Sequence, residues 1–423
     1  MIADDLTGAL DTGVQFAQAG VSVMVMTLDE GKEVDFAIDG TDVLVLDIES
    51  RHLPPGRAIQ LVYEVVNKAI RSEIYYFYKK TDSTLRGNIG AELEGLLNAS
   101  GGGCLTFVPA FPENGRTTRD GVQYVDDSML AETVYAEDPF SPVKHSKVSD
   151  IIREQSGVET EVIRKENYLK LNERSEQKMI RIVDAETRDD IREIGQCLAD
   201  TENLKCLAGC AGFAEVLPEL LGFEKGKKER VYFPHNVLAV SGSINSVTMN
   251  QIAIAETLGY SIFVLEPRQK LDIRYPDTKE FQEICADIAK KIDEKGKILI
   301  TAAKDAEDIA LADKYIVKHD LSNLDIRHNI LNNIGLLTAE IISRCDSIDL
   351  VVFGGDTLYS ILRELQLKRV IPITAIASGV VASAPCPEEK IRTIISKAGG
   401  FGNEDILKVI NDWRLEFRQK LAD

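Results

Sequence analysis

Short apolar runs recur along the chain, separated by polar turns and by amphipathic stretches of helical length, a spacing that predicts alternating strands and helices. Ile2 and Ala3 read as the end of a strand, and Leu10, Val14 and Ala17 as the stripe of a helix that Gly20 ends. VSVMVMT and TDVLVLDIES read as strands, and a helix covers about 57–72. Tyr75, Tyr76, Phe77 and Tyr78 predict a buried strand ending at Lys79, followed from residue 89 by a helix carried by Ile89, Leu93 and Leu96. GCLTFVPAF is a further strand. Residues 109–143, rich in Pro, Gly and charge, predict a long ordered loop with a short hairpin near 121–130. The charged stretch 144–178 predicts only peripheral helices. MIRIVDAE, a helix over 187–200 and the buried segment LKCLAGCAGFAE resume the alternation.

The charged stretch EKGKKERVYFPH, 224–235, is the best boundary, giving expected domains at 1–230 and 231–423. Beyond it, NVLAVSGSINSVTMNQIAIAETLGY reads as strand, Ser-Gly-Ser loop and helix, with strands near 262–265, 298–302 and 350–353. Ile330, Ile334, Leu337 and Ile341 make a helical stripe. The fold class expected is α/β, in two domains with mostly parallel sheets. A final helix carries Ile406, Ile410, Trp413 and Phe417 for core or subunit packing, and a homodimer is a candidate assembly.

A length of 423 residues agrees with two domains, and 44% hydrophobic with 28% charged residues is a globular composition. The 68 acidic against 49 basic residues leave a net charge of −19, which opposes nucleic acid and anionic membrane surfaces as partners. The seven cysteines are scattered and never spaced CxxC, which suits reduced thiols, and no apolar run reaches membrane-spanning length. A cytoplasmic location is therefore expected. Cys206 and Cys210 could supply half a metal site, but no second pair lies nearby, and no metal ligand set is assigned.

The densest polar loop is KKTDSTLRGN. Lys79, Lys80, Thr81, Asp82, Ser83, Thr84, Arg86 and Asn88 follow a strand within ten residues, and Gly87 and Gly90 flank the turn into a helix. Side-chain donors and a helix start can converge there on a small anion. Capping by Asp82 and Ser83 is the plainer alternative, though it does not require so many charges. Asp4 and Asp5 stand after the first strand, where Asp5 alone would serve as an N-cap; Arg51 and His52 follow another strand, and Arg51 could clamp a carboxylate. Arg116 and Arg119 are further candidate anion contacts. In the second half, Ser241-Gly242-Ser243, Gly354-Gly355-Asp356-Thr357 and the run through Gly399, Gly400 and Gly402 toward a cap at Asn403 offer glycine N–H groups to phosphate. Each could be only a tight connection, and none matches GxxxxGK[ST] or GxGxxG.

Together IADDLTGA, SRHLPP, KKTDSTLRGN, PAFPENGRTT, FGGDT and KAGGFG resemble the four-carbon acid sugar kinases over nearly the whole chain. The resemblance implies ATP-dependent phosphorylation of the terminal hydroxyl of threonate, erythronate or an oxo-tetronate. It also implies an acid-binding N-terminal domain, a nucleotide-binding C-terminal domain and an active-site cleft between them. By position it implies substrate contacts at Asp5, Arg51, Lys80, Thr81, Asp82 and Ser83; Asp4 and Arg86, beside them in the same turns, are candidate contacts from the residue pattern. It implies nucleotide contacts at Ser243, Gly354, Gly355, Asp356, Thr357, Gly399 and Gly400, with Ser241 a candidate from the Ser-Gly-Ser turn. The first strand is expected to be short or missing, since only Met1 and Ile2 precede Ala3. ATP and Mg²⁺ are the cofactors expected, with Asp356 reaching the ion directly, through water, or only capping its helix. Lys80 would orient the acid, and either Asp5 or Asp82 would take the hydroxyl proton. Two rivals stay open: a sensor that binds the acid without turnover, and a kinase of another small hydroxy acid.

Overall fold

The computed structural model describes residues 1–28, 34, 36, 38–138, 141–175, 177–199, 201–223, 236–243, 246–387, 390–399 and 401–422. The chain divides into two compact units, Met1–Lys227 and Lys228–Asp423. The stretch 224–235, expected to link two domains, lies outside the described residues.

The first unit comprises β1 (Ile2–Ala3), α1 (Leu6–Gln18), β2 (Val23–Thr27), β3 (Val43–Asp47), α2 (Pro55–Arg71), β4 (Phe77–Lys80), α3 (Ile89–Ser100) and β5 (Cys104–Val108). There follow β6 (Arg116–Arg119), β7 (Val122–Val125), β8 (Ser128–Met129), α4 (Val148–Arg153), β9 (Glu159–Ile163), β10 (Met179–Val183), α5 (Arg188–Leu198), β11 (Cys206–Gly209), α6 (Ala211–Ala214) and α7 (Leu217–Leu220). Eight strands form a parallel array in the order β2-β3-β1-β4-β11-β5-β10-β9. Continuous apolar runs such as VMVMT suit strands covered on both faces. Val62, Val66, Leu93, Leu96, Leu97 and Phe107 are fully buried together, each contributing about 1.5–3 kcal/mol by leaving water. The α2–α3 pair packs so closely that a Cβ at Gly95 would lie 2.6 Å from the Ile59 carbonyl oxygen.

Two expectations need correction here. The strand begins at Phe77, and Tyr75 and Tyr76 are 55% and 52% exposed because they precede the pairing that would cover them. The region 144–178 holds an edge strand, β9, as well as helices; only Ile163 of its five residues is buried, so its pattern carries little apolar signal. The hairpin near 121–130 belongs to a separate antiparallel sheet, β6-β7-β8.

The second unit comprises β12 (Val237–Ser241), α8 (Ser246–Ala253), β13 (Ser261–Val264), α9 (Pro267–Leu271), α10 (Lys279–Lys295), β14 (Lys297–Thr301), α11 (Ala306–His319), α12 (Asn323–Arg344), β15 (Ile348–Phe353), α13 (Gly355–Glu364), β16 (Arg369–Ala377), β17 (Val380–Cys386), β18 (Ile391–Lys397) and α14 (Ile406–Ala422). The strand order is β13-β14-β12-β15-β18-β17-β16, parallel as far as β18 and antiparallel beyond. The strands β16 and β17 are not evident from periodicity, because Pro372 and Pro385 interrupt them and the β16 register shifts at Pro372. The stripe Ile406, Leu407 and Ile410 packs on Ile252, Ala255 and Tyr260 of its own unit. Because α14 begins at Ile406, Asn403 lies in the preceding loop and not at its cap.

Candidate functional site

Strand β1 runs between β3 and β4 with Ala3 opposite both Asp47 and Lys80. The chain leaves β1 toward β2 on one side and later returns to β4 on the other, a topological switch whose carboxyl end forms a ligand crevice in open α/β sheets. Asp4 and Asp5 follow β1, Ser50 and Arg51 follow β3, and Thr81, Asp82 and Ser83 follow β4. All eight residues expected to contact the acid thus gather at one end of the first sheet. Asp5 caps α1, accepting from the Gly8 amide at 2.7 Å and the Thr7 hydroxyl at 3.2 Å.

Arg51 joins the acids. Its Nε and Nη2 lie 2.8 and 2.7 Å from Asp4 Oδ2, its Nη1 2.7 Å from Asp5 Oδ2, and Nη2 also 3.7 Å from Asp82 Oδ1. Arg86 grips Asp82 from the other side, Nε to Oδ2 at 2.9 Å and Nη2 to Oδ1 at 3.1 Å, and Thr84 donates its hydroxyl to the same carboxylate. Burial alone would raise the Asp82 carboxyl, but Arg86 and Arg51 outweigh it and hold the group well below the usual carboxylate range. For Asp4, 2% exposed, burial is likewise overcome by Arg51, Lys79 and Lys80, and its pKa is lowered.

Lys80 differs from the two arginines. It is 5% exposed, and among the described residues its ammonium has no ion-pair or hydrogen-bond partner. It lies over the first turn of α1, where a Cβ at Gly8 would stand 2.9 Å from its Nζ, so glycine makes room for the cation. The neighbouring Thr81 hydroxyl and Asp4 Oδ1 are also buried without partners. Buried polar atoms such as Thr81 Oγ1 and Asp4 Oδ1, with no hydrogen bond among the described residues, are costly unless a further polar group meets them.

Sequence reasoning missed several groups around this crevice. Asp47, fully buried at the end of β3, is pushed up to about 7 by burial, and Asp11, on α1 beyond Gly8, to about 6 by burial. An acid closing the apolar run VLVLD was the available signal for Asp47. Lys79 forms a buried ion pair with Glu92 on α3, invisible in a sequence that shows only a glutamate in a helix. Arg116 and Arg119 are engaged elsewhere: Arg116 donates to Tyr135 Oη at 3.1 Å, and Arg119 stacks on Tyr124 and pairs with Glu186.

In the second unit, Ser241 is opposite Phe353, and Phe353 opposite Lys397, so the turns after β12, β15 and β18 share one end of that sheet. A Cβ at Gly242 would lie 2.7 Å from Thr357 Oγ1, which measures how closely the first two turns meet. Gly354 has φ +101°, open to glycine and strained for other residues, and its N–H donates to the Lys397 carbonyl at 2.9 Å. It leads into the free N-terminal amides of α13, suited to phosphate. The Ser241 hydroxyl is buried without a partner. Lys397, fully buried and lowered to about 8 by burial, donates to the Gly399 carbonyl. Asp356 is half exposed, does not cap its helix, and pairs with Arg327 at 2.8 Å. Gly400 lies outside the described residues. No cluster of three or more His, Cys, Asp or Glu groups able to hold a metal occurs among the described residues.

A crevice of acids and cations thus stands at the sheet end of one α/β unit, and glycine-rich turns at the sheet end of the other. Residues 1–217 match the family model described as a sugar-binding N-terminal domain, and residues 238–407 the one described as a nucleotide-binding C-terminal domain. The chain is 30% identical to the D-threonate kinase of Salmonella typhimurium, over 96% of each chain. It is 26% identical to the D-erythronate kinase of Heliobacterium modesticaldum, over 98% of this chain and 96% of that one. With the 3-oxo-tetronate kinase of Haemophilus influenzae it shares 23% identity over 96% of this chain and 98% of the other. The chain belongs to the four-carbon acid sugar kinase family. Among solved structures, a Salmonella typhimurium protein described as a putative tRNA synthase has a TM-score of 0.78 at 20% identity over 97% of both chains, a likeness of fold alone. Among the described residues, no helix is long and apolar enough to cross a membrane.

Proposed function

We propose that the chain transfers the γ-phosphoryl group of ATP to the terminal hydroxyl of a four-carbon sugar acid of the threonate, erythronate or 3-oxo-tetronate class. The observation that carries the reading is Lys80, 5% exposed and making no hydrogen bond or ion pair among the described residues, beside the Thr81 hydroxyl, which has no hydrogen-bond partner among them. An anionic polyol satisfies both at once. Lys80, Thr81 and Ser83 bind the acid, while Arg51 and Arg86 hold Asp4, Asp5 and Asp82 in place around it.

Two guanidiniums and a hydroxyl hold Asp82 as an anion and make it a weak base, so Asp5, held by one guanidinium, the Gly8 amide and the Thr7 hydroxyl, is the proton acceptor proposed. In the second unit, Ser241, Ser243, Gly354, Gly355, Thr357 and Gly399 form the nucleotide phosphate site. Asp356, the carboxylate of the Gly354–Thr357 turn and 2.8 Å from Arg327, would be the protein group to hold Mg²⁺ there. When bound, the ion offsets the charge that develops on the phosphates. Free thiols at all seven cysteines support a reducing, cytoplasmic setting.

The test is ADP release from ATP and Mg²⁺ across the stereoisomers of threonate and erythronate and their 3-oxo forms. Turnover confined to one or two of them is expected. Saturable binding of an acid without ADP release would mean a sensor instead.

A further inference from the structure

The loop residues that meet the acid are only as well placed as what stands behind them, and on the far face of the sheet there is a buried ionic knot. Alternation along β4 sends Lys80 toward α1 and Lys79 toward α3. Lys79 is fully buried, its Nζ 2.8 Å from Glu92 Oε2 and 2.7 Å from the carbonyl oxygen of Lys80 itself. Glu92, 1% exposed, takes the Ser50 hydroxyl on its other oxygen. Ser50 immediately precedes Arg51. The same turn is held a second time by Asn88, whose Nδ2 donates to the carbonyls of Ser50 and Leu53, both at 2.8 Å. One carboxylate on α3 therefore ties the end of β4, which carries Lys80, to the turn that carries Arg51.

Stability gives this arrangement little reason to exist. Removing two charges from water is expensive, and well-packed apolar side chains of similar volume commonly do as well or better. Burial raises the Glu92 carboxyl and Lys79 opposes that shift, so the pair is a compensated expense and not a gain. What it supplies is direction: each oxygen of Glu92 has one partner, and the partners lie on two different sheet-end turns. An apolar pair in the same volume would fill the space without fixing those turns.

We propose that Lys79, Glu92 and Ser50 are positioning residues for the acid site, holding Lys80 and Arg51 at a fixed separation without touching the substrate. The inference rests on the kinase reading above. Its test is steady-state kinetics and thermal unfolding of three full-length proteins: the wild type, Ser50→Ala, and the double variant Lys79→Met/Glu92→Leu, which leaves no lone buried charge. The expected result is a melting temperature close to or above wild type in the double variant, with KM for the acid raised or kcat lowered. The combined loss should be about tenfold or more, because misplacement by an ångström can cost up to about a hundredfold. KM for ATP should stay within about twofold. Ser50→Ala should show the same selective loss to a smaller degree. Acid kinetics unchanged in Ser50→Ala and in a folded double variant would overturn the proposal, as would equal losses for acid and ATP. If the double variant fails to fold, Ser50→Ala alone decides between these outcomes. A wild type that neither turns over nor binds any tetronate would overturn the kinase reading and this inference with it, whereas active wild type with unaffected variants overturns this inference only.

Discussion

Replacing Arg51 by methionine removes a cation that touches three carboxylates, and the size of the effect follows from where those carboxylates lie. Asp4 is 2% exposed and receives both Nε and Nη2 of Arg51, so losing the guanidinium leaves a buried charge whose remaining cations, Lys79 and Lys80, make no direct contact with it. Breaking a buried pair in this way destabilises by about 3–5 kcal/mol. For a unit of this size that corresponds to a melting temperature lower by about 6–20 °C. The pH dependence has a definite sign. In the wild type the carboxyls of Asp4 and Asp82 are depressed, so their contribution is present above the unfolded value of about 3.9 and is lost as pH falls through the lower folded values. In Arg51→Met the burial of Asp4 is no longer overcome, its folded pKa moves up, and the penalty grows as pH rises through the new value. Thermal unfolding followed by circular dichroism from about pH 4 to pH 8 should show the variant closer to wild type at the acid end and furthest from it at the alkaline end. Trp413, the chain's single tryptophan, gives a separate fluorescence signal from the second unit. A variant within about 1 kcal/mol of wild type at pH 8 would mean that the carboxylates do not depend on Arg51.

Other outcomes follow from the same geometry. Lys80→Met should weaken the acid by about 10–100-fold, the worth of a charge-assisted hydrogen bond, and leave ATP affinity unchanged by titration. Asp5→Asn should lower kcat by about two to four decades, whereas Asp82→Asn should chiefly raise KM for the acid; the reverse pattern would make Asp82 the base. Gly354→Ala forces a side chain into φ +101° and should cost about 1–3 kcal/mol of strain, loosening nucleotide binding in calorimetry while acid binding persists.

Much of the first unit was legible because its information is local. Apolar runs gave β2, β3 and β5, and the clustering of Lys79, Lys80, Thr81, Asp82, Ser83 and Arg86 in one short loop marked the crevice before any pairing was known. What escaped depends on partners distant in sequence. Whether Arg51 is free for a ligand or already engaged by Asp4 and Asp5 is decided 46 and 47 positions away, and the Lys79–Glu92 pair only exists once α3 packs on the sheet. Tyr75 and Tyr76 misled for a related reason, since aromatic β propensity reports a fit to half-buried pleats and not whether a strand has begun. In the second unit the glycine turns announced themselves through Gly354, while β16 and β17, carrying Pro372 and Pro385, did not.

The central claim is that the crevice at the end of β1, β3 and β4 binds a four-carbon acid through Lys80 while ATP is consumed. Single-turnover transfer of radiolabelled γ-phosphate from ATP to each tetronate, in wild type and Lys80→Met at equal subsaturating acid, tests it most directly. A labelled phospho-acid is expected from at least one tetronate, formed about 10–100-fold more slowly by Lys80→Met at that acid concentration. Absence of a labelled acid with every tetronate, or equal rates in the two proteins, would contradict it.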